Sequence, residues 1–443
     1  MRFNGTMRVN GKNHLEIGGV DTVFLAREFG TPLYVVDEAC FRDNCRRYRE
    51  AFAGGEVIYA GKTMLVKAVC RLVEEEGLSL DVASGGELAC AISAGFPASR
   101  LYFHGNNKTP AEIRMGLESG VGRFMVDNLY ELGLLSQAAA RTGVRQGIIL
   151  RVTPGIEAHT HEYIKTGQID SKFGLPIETG QAMEGVEKAL VSPNLVLKGI
   201  HCHIGSQVFE LESFEHTVRI MMNFLAQVHR STGHLLEELD LGGGLGIYYA
   251  EGDLPPAVSG LAGVITATVG EAAVSRNLPV PRVLVEPGRS IGGPSGTTLY
   301  TVGAVKVIPG VRTYVDVDGG MNDNPRTALY GARYEALLAN RAGEAAGDVV
   351  AVAGNCCESG DMLIHEARLP APRPGDILAI SATGAYNFSM SMNYNRFPRP
   401  AMVLVNEGRA DLILRRETYE DVLDHDVIPP RLRIREALRK AAR

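Results

Sequence analysis

The sequence contains no tryptophan, and its 7 cysteines are odd in number and scattered over 443 residues. A disulfide framework is thereby excluded as the organising device, and free thiols in a reducing, cytoplasmic setting are the expectation. No uninterrupted apolar stretch approaches the roughly 18 residues that cross a bilayer. The N-terminal MRFNGTMRVNGKNHLEIGG lacks the apolar centre of a signal peptide, so no membrane association is expected. Blocks of five or more like charges are missing, and 45 basic against 51 acidic residues leave a net charge of −6. That sign and dispersion exclude a nucleic-acid footprint. Glycine (51) and proline (21) stay far below low-complexity levels, while 45% of the residues are apolar. The chain is long enough for two or three domains with a sizeable core and no need of metal or disulfide staples.

Short β-branched runs alternate with amphipathic stretches between about residues 56 and 288, the mark of repeated βα units around a parallel sheet. Eight strands are expected: VIYAGK (57–62), LSLDVAS (78–84), LYFHGNN (101–107), RFMVDN (123–128), GIILRV (147–152), LKGIHCHIG (197–205), LDLGGG (239–244) and VLVEPG (283–288). Intervening segments such as MLVKAVCRLVEEEG and FEHTVRIMMNFLAQVHRST repeat apolar residues at helical spacing. Eight such units predict a closed (β/α)8 barrel of the TIM type, with an open doubly wound sheet as the alternative. After Gly288 the alternation stops, and TLYTVGAVKVIP, RTYVDVDGG, DVVAVAGN, GDILAIS and PAMVLVNE read as strands of a mainly antiparallel domain. The expected division is a barrel over 36–288 and a β-domain built from 1–35 and 289–443.

Barrel chemistry gathers at the C-terminal ends of the strands, which here carry Lys62, Ser84, Asn106, Asn128, Arg151, His203, Gly242 to Gly244 and Glu286. Lys62 is a single amine at the mouth, suited to Schiff-base chemistry when desolvated; a solvated strand-end lysine is the alternative. Gly242, Gly243 and Gly244 offer backbone N–H groups that could converge on a phosphate, or simply form a tight turn. Ser206 and Arg289 can face the same mouth, which would place three phosphate-type donors, the glycine turn, Ser206 and Arg289, around one cofactor-binding position. His201 and His203 stand two apart on one strand, yet no further ligand at suitable spacing supports a zinc site. An imidazole lying flat on an aromatic cofactor suits His203 better. His159 and His161, in a loop rich in Thr and Glu, read as solvent-exposed. Glu286 ends a very apolar strand and needs a partner, either a protonated cofactor ring nitrogen or Arg289.

Eleven ordered blocks, from LEIGGVDTVFLAREFGTPLYVVDE through YAGK, LDVASGGEL, HGNNK, THEYIKTGQIDSKFG, HCHIGSQ, LDLGGGLGI, EPGRS, DGGMNDNPRTALY and CCESGD to GAYNFSMSMNYNRFPRP, resemble the pyridoxal-phosphate-dependent decarboxylases of the alanine-racemase-like fold. The resemblance spans nearly the whole chain. It implies pyridoxal 5'-phosphate carried on Lys62, with Glu286 at the ring nitrogen and His203 stacked on the ring. Ser206, Gly242, Gly243, Gly244, the backbone around Gly288 and Tyr386 would hold the phosphate. Asp81, Glu87 and Asn106 would support the lysine.

The same resemblance casts Cys357 of CESGD as the acid that protonates carbon and Glu358 as the partner of a distal ammonium. That segment would reach the active site of the neighbouring subunit, so that a homodimer shares its sites. Arg289, Arg326 and Tyr330 would clamp a distal carboxylate, for which guanidinium geometry is suited. The implied reaction is decarboxylation of meso-2,6-diaminopimelate at its D-centre to L-lysine, the last step of lysine biosynthesis. A decarboxylase acting on lysine, ornithine or arginine is the closest alternative, and a racemase or a non-catalytic cofactor-binding homologue stands behind it. Thr63-Met64 and Thr327 depart from the usual pattern without removing a charged or reactive group.

Overall fold

The computed structural model describes residues 1–155 and 171–433. Eight parallel strands, numbered here for the barrel alone, run β1 (Glu56–Ala60), β2 (Ser79–Val82), β3 (Leu101–Phe103), β4 (Arg123–Val126), β5 (Gln146–Thr153), β6 (Leu195–His201), β7 (Glu238–Asp240) and β8 (Arg282–Val285). Each pairs with the next, and Leu284 and Val285 of β8 pair back onto Glu56 and Val57 of β1. The sheet is therefore closed, and the open-sheet alternative is excluded. The strands were readable because both of their faces are buried, so they appear as near-continuous apolar runs.

Register then dictates where the polar groups go. Ile58, Tyr102, Met125, Ile149 and Leu284 form one buried cluster inside the barrel. Side chains alternate faces along a strand, so two residues further on, at the C-terminal rim, the same inward direction belongs to Ala60, His104, Asp127, Arg151 and Glu286. An apolar plug thus carries a polar layer directly above it.

Two of the polar strand ends serve the scaffold. Ser84 accepts the backbone N–H of Glu87 at 3.2 Å and Asn128 that of Glu131 at 2.9 Å; both are helix N-caps, each worth about 1 kcal/mol. The expectation that all eight strand ends serve chemistry is corrected to that extent. Helix 258–275 is long and apolar enough to cross a bilayer by length and composition. Its Leu261, Ile265, Val269 and Ala272 are nevertheless buried in the core cluster that also holds the barrel strands.

The second sheet is built on the long strand Gly296–Ile308, which pairs antiparallel with Leu33–Asp37, with Ile377–Ser381 and with Arg312–Val317. Ala401–Asn406 adds to Leu33–Asp37 in parallel, and Arg312–Val317 to Val349–Ala353 likewise. The remaining pairings are antiparallel. Tyr300, Val302, Val315, Leu363 and Leu378 fill its core.

Candidate active site

A cavity of about 720 Å³ opens at the barrel mouth, with Lys62, Asp81, Asn106, Arg151, His203, Ser206, Arg289, Arg326, Tyr330 and Tyr386 on its walls. Lys62 lies in a single tight turn, Gly61–Thr63, immediately past β1. Glycine is required where the next loop crosses it, because a Cβ on Gly288 would lie 2.1 Å from Thr63 Oγ1. Asp81, 1% exposed, faces the same space. Behind it, Glu87 accepts the N–H of Ala83 at 2.6 Å.

Glu286 does not pair with Arg289. It is buried between two histidines, His104 Nε2 at 2.7 Å from Oε1 and His201 Nε2 at 3.3 Å from Oε2. Burial alone would raise its carboxyl, but the two imidazoles outweigh that and hold it well below the usual carboxylate range. Asp240, beside it, is pushed well up by burial and by the charge of Glu286. Although Oε1 is close to His104, the contact lacks hydrogen-bond alignment and the oxygen has no hydrogen-bond partner among the described residues.

His203 is distinct from His201. The strand ends at His201, and beyond it the backbone turns so that His203 Nδ1 accepts the N–H of Gly243 at 3.2 Å. Burial, reinforced by Lys62 and Arg151, drives its pKa well down, leaving a neutral ring.

The triple glycine works differently from expectation. The Gly242 N–H is taken by Asp240 at 2.9 Å and the Gly243 N–H by His203. Both residues border a small void on the side away from the mouth, lined by Tyr48, Phe214 and Leu261. Gly244 alone reaches the recess with Lys62, Ser206, Glu286, Gly288 and Tyr386, and its N–H has no acceptor among the described residues. Gly242 and Gly243 are instead demanded by crowding, since a Cβ on Gly243 would lie 2.2 Å from the carbonyl oxygen of Glu286.

Two buried guanidiniums share one tyrosine. Arg289 donates to Ser206 Oγ (3.1 and 2.7 Å) and to the hydroxyl of Tyr249 (2.7 Å). Arg326 sits over the Tyr249 ring at 5.0 Å and donates to Tyr334 at 2.8 Å, whose hydroxyl donates to Asn387 at 3.2 Å. Tyr386 faces Arg289 at 4.9 Å; burial raises its phenol, but Arg289 and Lys62 bring the net shift downward. Sequence reasoning missed His104, Tyr249 and Tyr334. His104 alone had a local signal, standing two residues after an inward-facing strand position.

Cys357 and Glu358 are not brought to this cavity. Both are exposed, on a segment fastened through its backbone: Asp361 accepts the N–H groups of Met321 (2.6 Å) and Cys356 (2.7 Å), and Asn395 that of Cys357 (2.7 Å). His159, His161 and most of THEYIKTGQIDSKFG lie outside the described residues.

The cavity fits pyridoxal phosphate: an amine at the rim, a buried carboxylate with an unpartnered oxygen, a neutral imidazole between them, and a hydroxyl, a backbone N–H and guanidinium at the far side. Residues 38–293 match the model of the pyridoxal-binding domain of pyridoxal-dependent decarboxylases. The chain is 50% identical over 431 residues to diaminopimelate decarboxylase of Bacillus subtilis, covering 96% of this chain and 98% of that one. The fold superposes on diaminopimelate decarboxylase from M. jannaschii in complex with L-lysine with TM-score 0.90 and 37% identity, covering 98% and 100% of the two chains. Lysine/ornithine decarboxylase from Vibrio vulnificus, complexed with putrescine, is more distant at TM-score 0.74 and 26% identity over 87% of this chain and 97% of that one. The chain belongs to the diaminopimelate decarboxylases, pyridoxal-phosphate-dependent carboxy-lyases.

Proposed function

We propose that this site removes CO2 from the D-centre of meso-2,6-diaminopimelate and releases L-lysine. The observation that carries the substrate assignment is the pair of buried guanidiniums, Arg289 and Arg326, 4% and 6% exposed, in the same cavity as Lys62. A distal carboxylate satisfies them; the cationic far end of lysine, ornithine or arginine opposes them.

Pyridoxal phosphate, held at Lys62, supplies the electron sink for the pair left on carbon when CO2 departs. Glu286, its carboxyl held low, would keep a proton at the ring nitrogen, and His203, its imidazole kept neutral, would pack on the ring. Ser206, Gly244, Tyr386 and the backbone around Gly288 take the phosphate, with Gly242 and Gly243 shaping the loop behind. Arg289, Arg326 and Tyr330 would orient the distal amino-acid end, which selects the carboxylate presented to the Lys62 side of the cavity.

In this reading the protein is a cytoplasmic homodimer. The barrel (36–288) carries the cofactor, and the β-domain (1–35 and 289–443) completes the active site of the dimer, lining its own cavity with Arg289, Arg326, Tyr330 and Tyr386. Cys357 of the partner subunit delivers the proton to carbon, and Glu358 of the partner subunit meets the distal ammonium. Exposure of both side chains on an anchored segment supports that division. A non-catalytic homologue is disfavoured because Lys62, Cys357 and the clamp are all retained. The test is CO2 release from meso-diaminopimelate against lysine, ornithine and arginine. Release at least about a hundredfold faster from meso-diaminopimelate is expected; equal rates would replace this assignment with a broad-specificity decarboxylase.

A further inference from the structure

The polar layer above the barrel plug delivers more than one carboxylate. His104 follows β3 at the height of Glu286, and His201 ends β6 facing the same point. They are 7% and 1% exposed, a costly place for imidazoles unless each has a task. Each addresses a different oxygen of Glu286: His201 Nε2 is hydrogen-bonded to Oε2 at 3.3 Å, and His104 Nε2 packs 2.7 Å from Oε1 without hydrogen-bond alignment, leaving that oxygen able to accept from a further donor. A carboxylate accepts, so His201 is fixed as the tautomer with its proton on Nε2, in agreement with an Nδ1 that has no partner among the described residues. The two rings meet edge to face, centroids 5.1 Å apart at 77°, so neither turns without displacing the other.

We propose that His104 and His201 are positioning residues for the cofactor's ring nitrogen, clasping Glu286 through one oxygen each so that its charge and direction are fixed before the cofactor arrives. This rests on the reading of Glu286 given above. The need for a clasp follows from the surroundings. Asp240 of β7 and Asp81 of β2 face Glu286 as competing carboxyls, with Arg151 of β5, the Cys202 thiol and His203 also nearby. Burial and the charge of Glu286 push the Asp240 carboxyl well up, and without the two histidines only Arg151 among these groups still favours charge on Glu286, so the Glu286 carboxyl rises toward that of Asp240. A neutral Glu286 cannot hold a proton on a pyridine nitrogen.

The test uses full-length protein loaded with pyridoxal phosphate, following the visible absorbance of the bound cofactor against pH and its retention by equilibrium dialysis. His201→Leu and His104→Leu are each expected to weaken cofactor binding about tenfold and to move the midpoint of the absorbance change by about one pH unit, with kcat falling and the substrate KM nearly unchanged. His201→Gln keeps an N–H donor at similar reach and is expected to recover most of the parent behaviour. Leucine variants that remain folded by circular dichroism yet keep the parent midpoint and affinity would overturn the proposal. So would a cobalt(II) ligand-field band in the purified protein that both histidines are needed for, because the three ligand-type atoms lie within 4.8 Å of one another and would then be a metal site. Parent protein that takes up no cofactor at Lys62 would instead bring down the functional reading on which the proposal stands.

Discussion

The barrel mouth and the Cys356–Asp361 segment solve opposite problems. At the mouth, polar side chains are buried and locked to one another: Glu286 between His104 and His201, Arg289 between Ser206 and Tyr249. On the segment it is the backbone that is locked, by Asp361 and Asn395, while Cys357 and Glu358 stand in solvent. A barrel rim can align charges because its strands fix their spacing. A loop on a β-domain can only present groups, and something else must receive them.

The contrast is broken most severely at Lys62. Lys62→Ala is expected to abolish the borohydride-reducible cofactor adduct and to lower turnover by more than about a thousandfold, read by peptide mapping and CO2 release. Cys357→Ala is expected to cost about 10² to 10⁴ in kcat while the cofactor spectrum stays that of the parent, because the mouth is complete without it. Mixing the two inactive variants then sharpens the comparison: recovered activity on subunit exchange locates the receiver of the segment in the other protomer, and none despite proven exchange argues against shared sites. Arg326→Ala removes a charge-assisted contact worth about 2–3 kcal/mol, so kcat/KM for meso-diaminopimelate should drop roughly 30- to 150-fold, measured against an unchanged cofactor affinity.

The smallest effect concerns the floor beneath the segment. Asp323, fully buried with Tyr300 and the N–H of Gly320 as its donors, has its carboxyl raised by burial to about 7. The folded form therefore binds the proton more tightly than the unfolded chain, whose value is near 3.8. Its contribution to stability is complete below that lower value and is lost as pH rises through 7. Thermal unfolding from pH 4 to 7 should show a falling component that Asp323→Asn flattens. His201 acts in the reverse sense: lowered by burial to about 4, it withdraws stability as pH falls from 6.5, which His201→Gln should remove.

Much of this was legible in the sequence. All eight barrel strands could be read, because apolar runs bounded by glycine and polar residues survive without knowledge of their neighbours. Lys62, His203, Ser206, Arg289 and Arg326 meet in one cavity as the motifs implied. The remainder depended on distances in space. Ser84 and Asn128 look like site residues until the helix each caps is seen. Gly242 and Gly243 look like phosphate donors until Asp240 and His203 claim their N–H groups. Tyr249 and Tyr334 sit 40 and 8 residues from the arginines they bond, and no periodicity announces them.

The greasy stopper and the ionic anchor come from one short run of chain: Leu284 in β8 and Glu286 immediately past its end stand two residues apart. A frame shift of β8 by one position against its neighbours would swing the carboxylate outward into the helix shell and seat Val285 where a charge belongs. A single-residue insertion or deletion between Leu284 and Glu286 would therefore cost chemistry and folding in the same event.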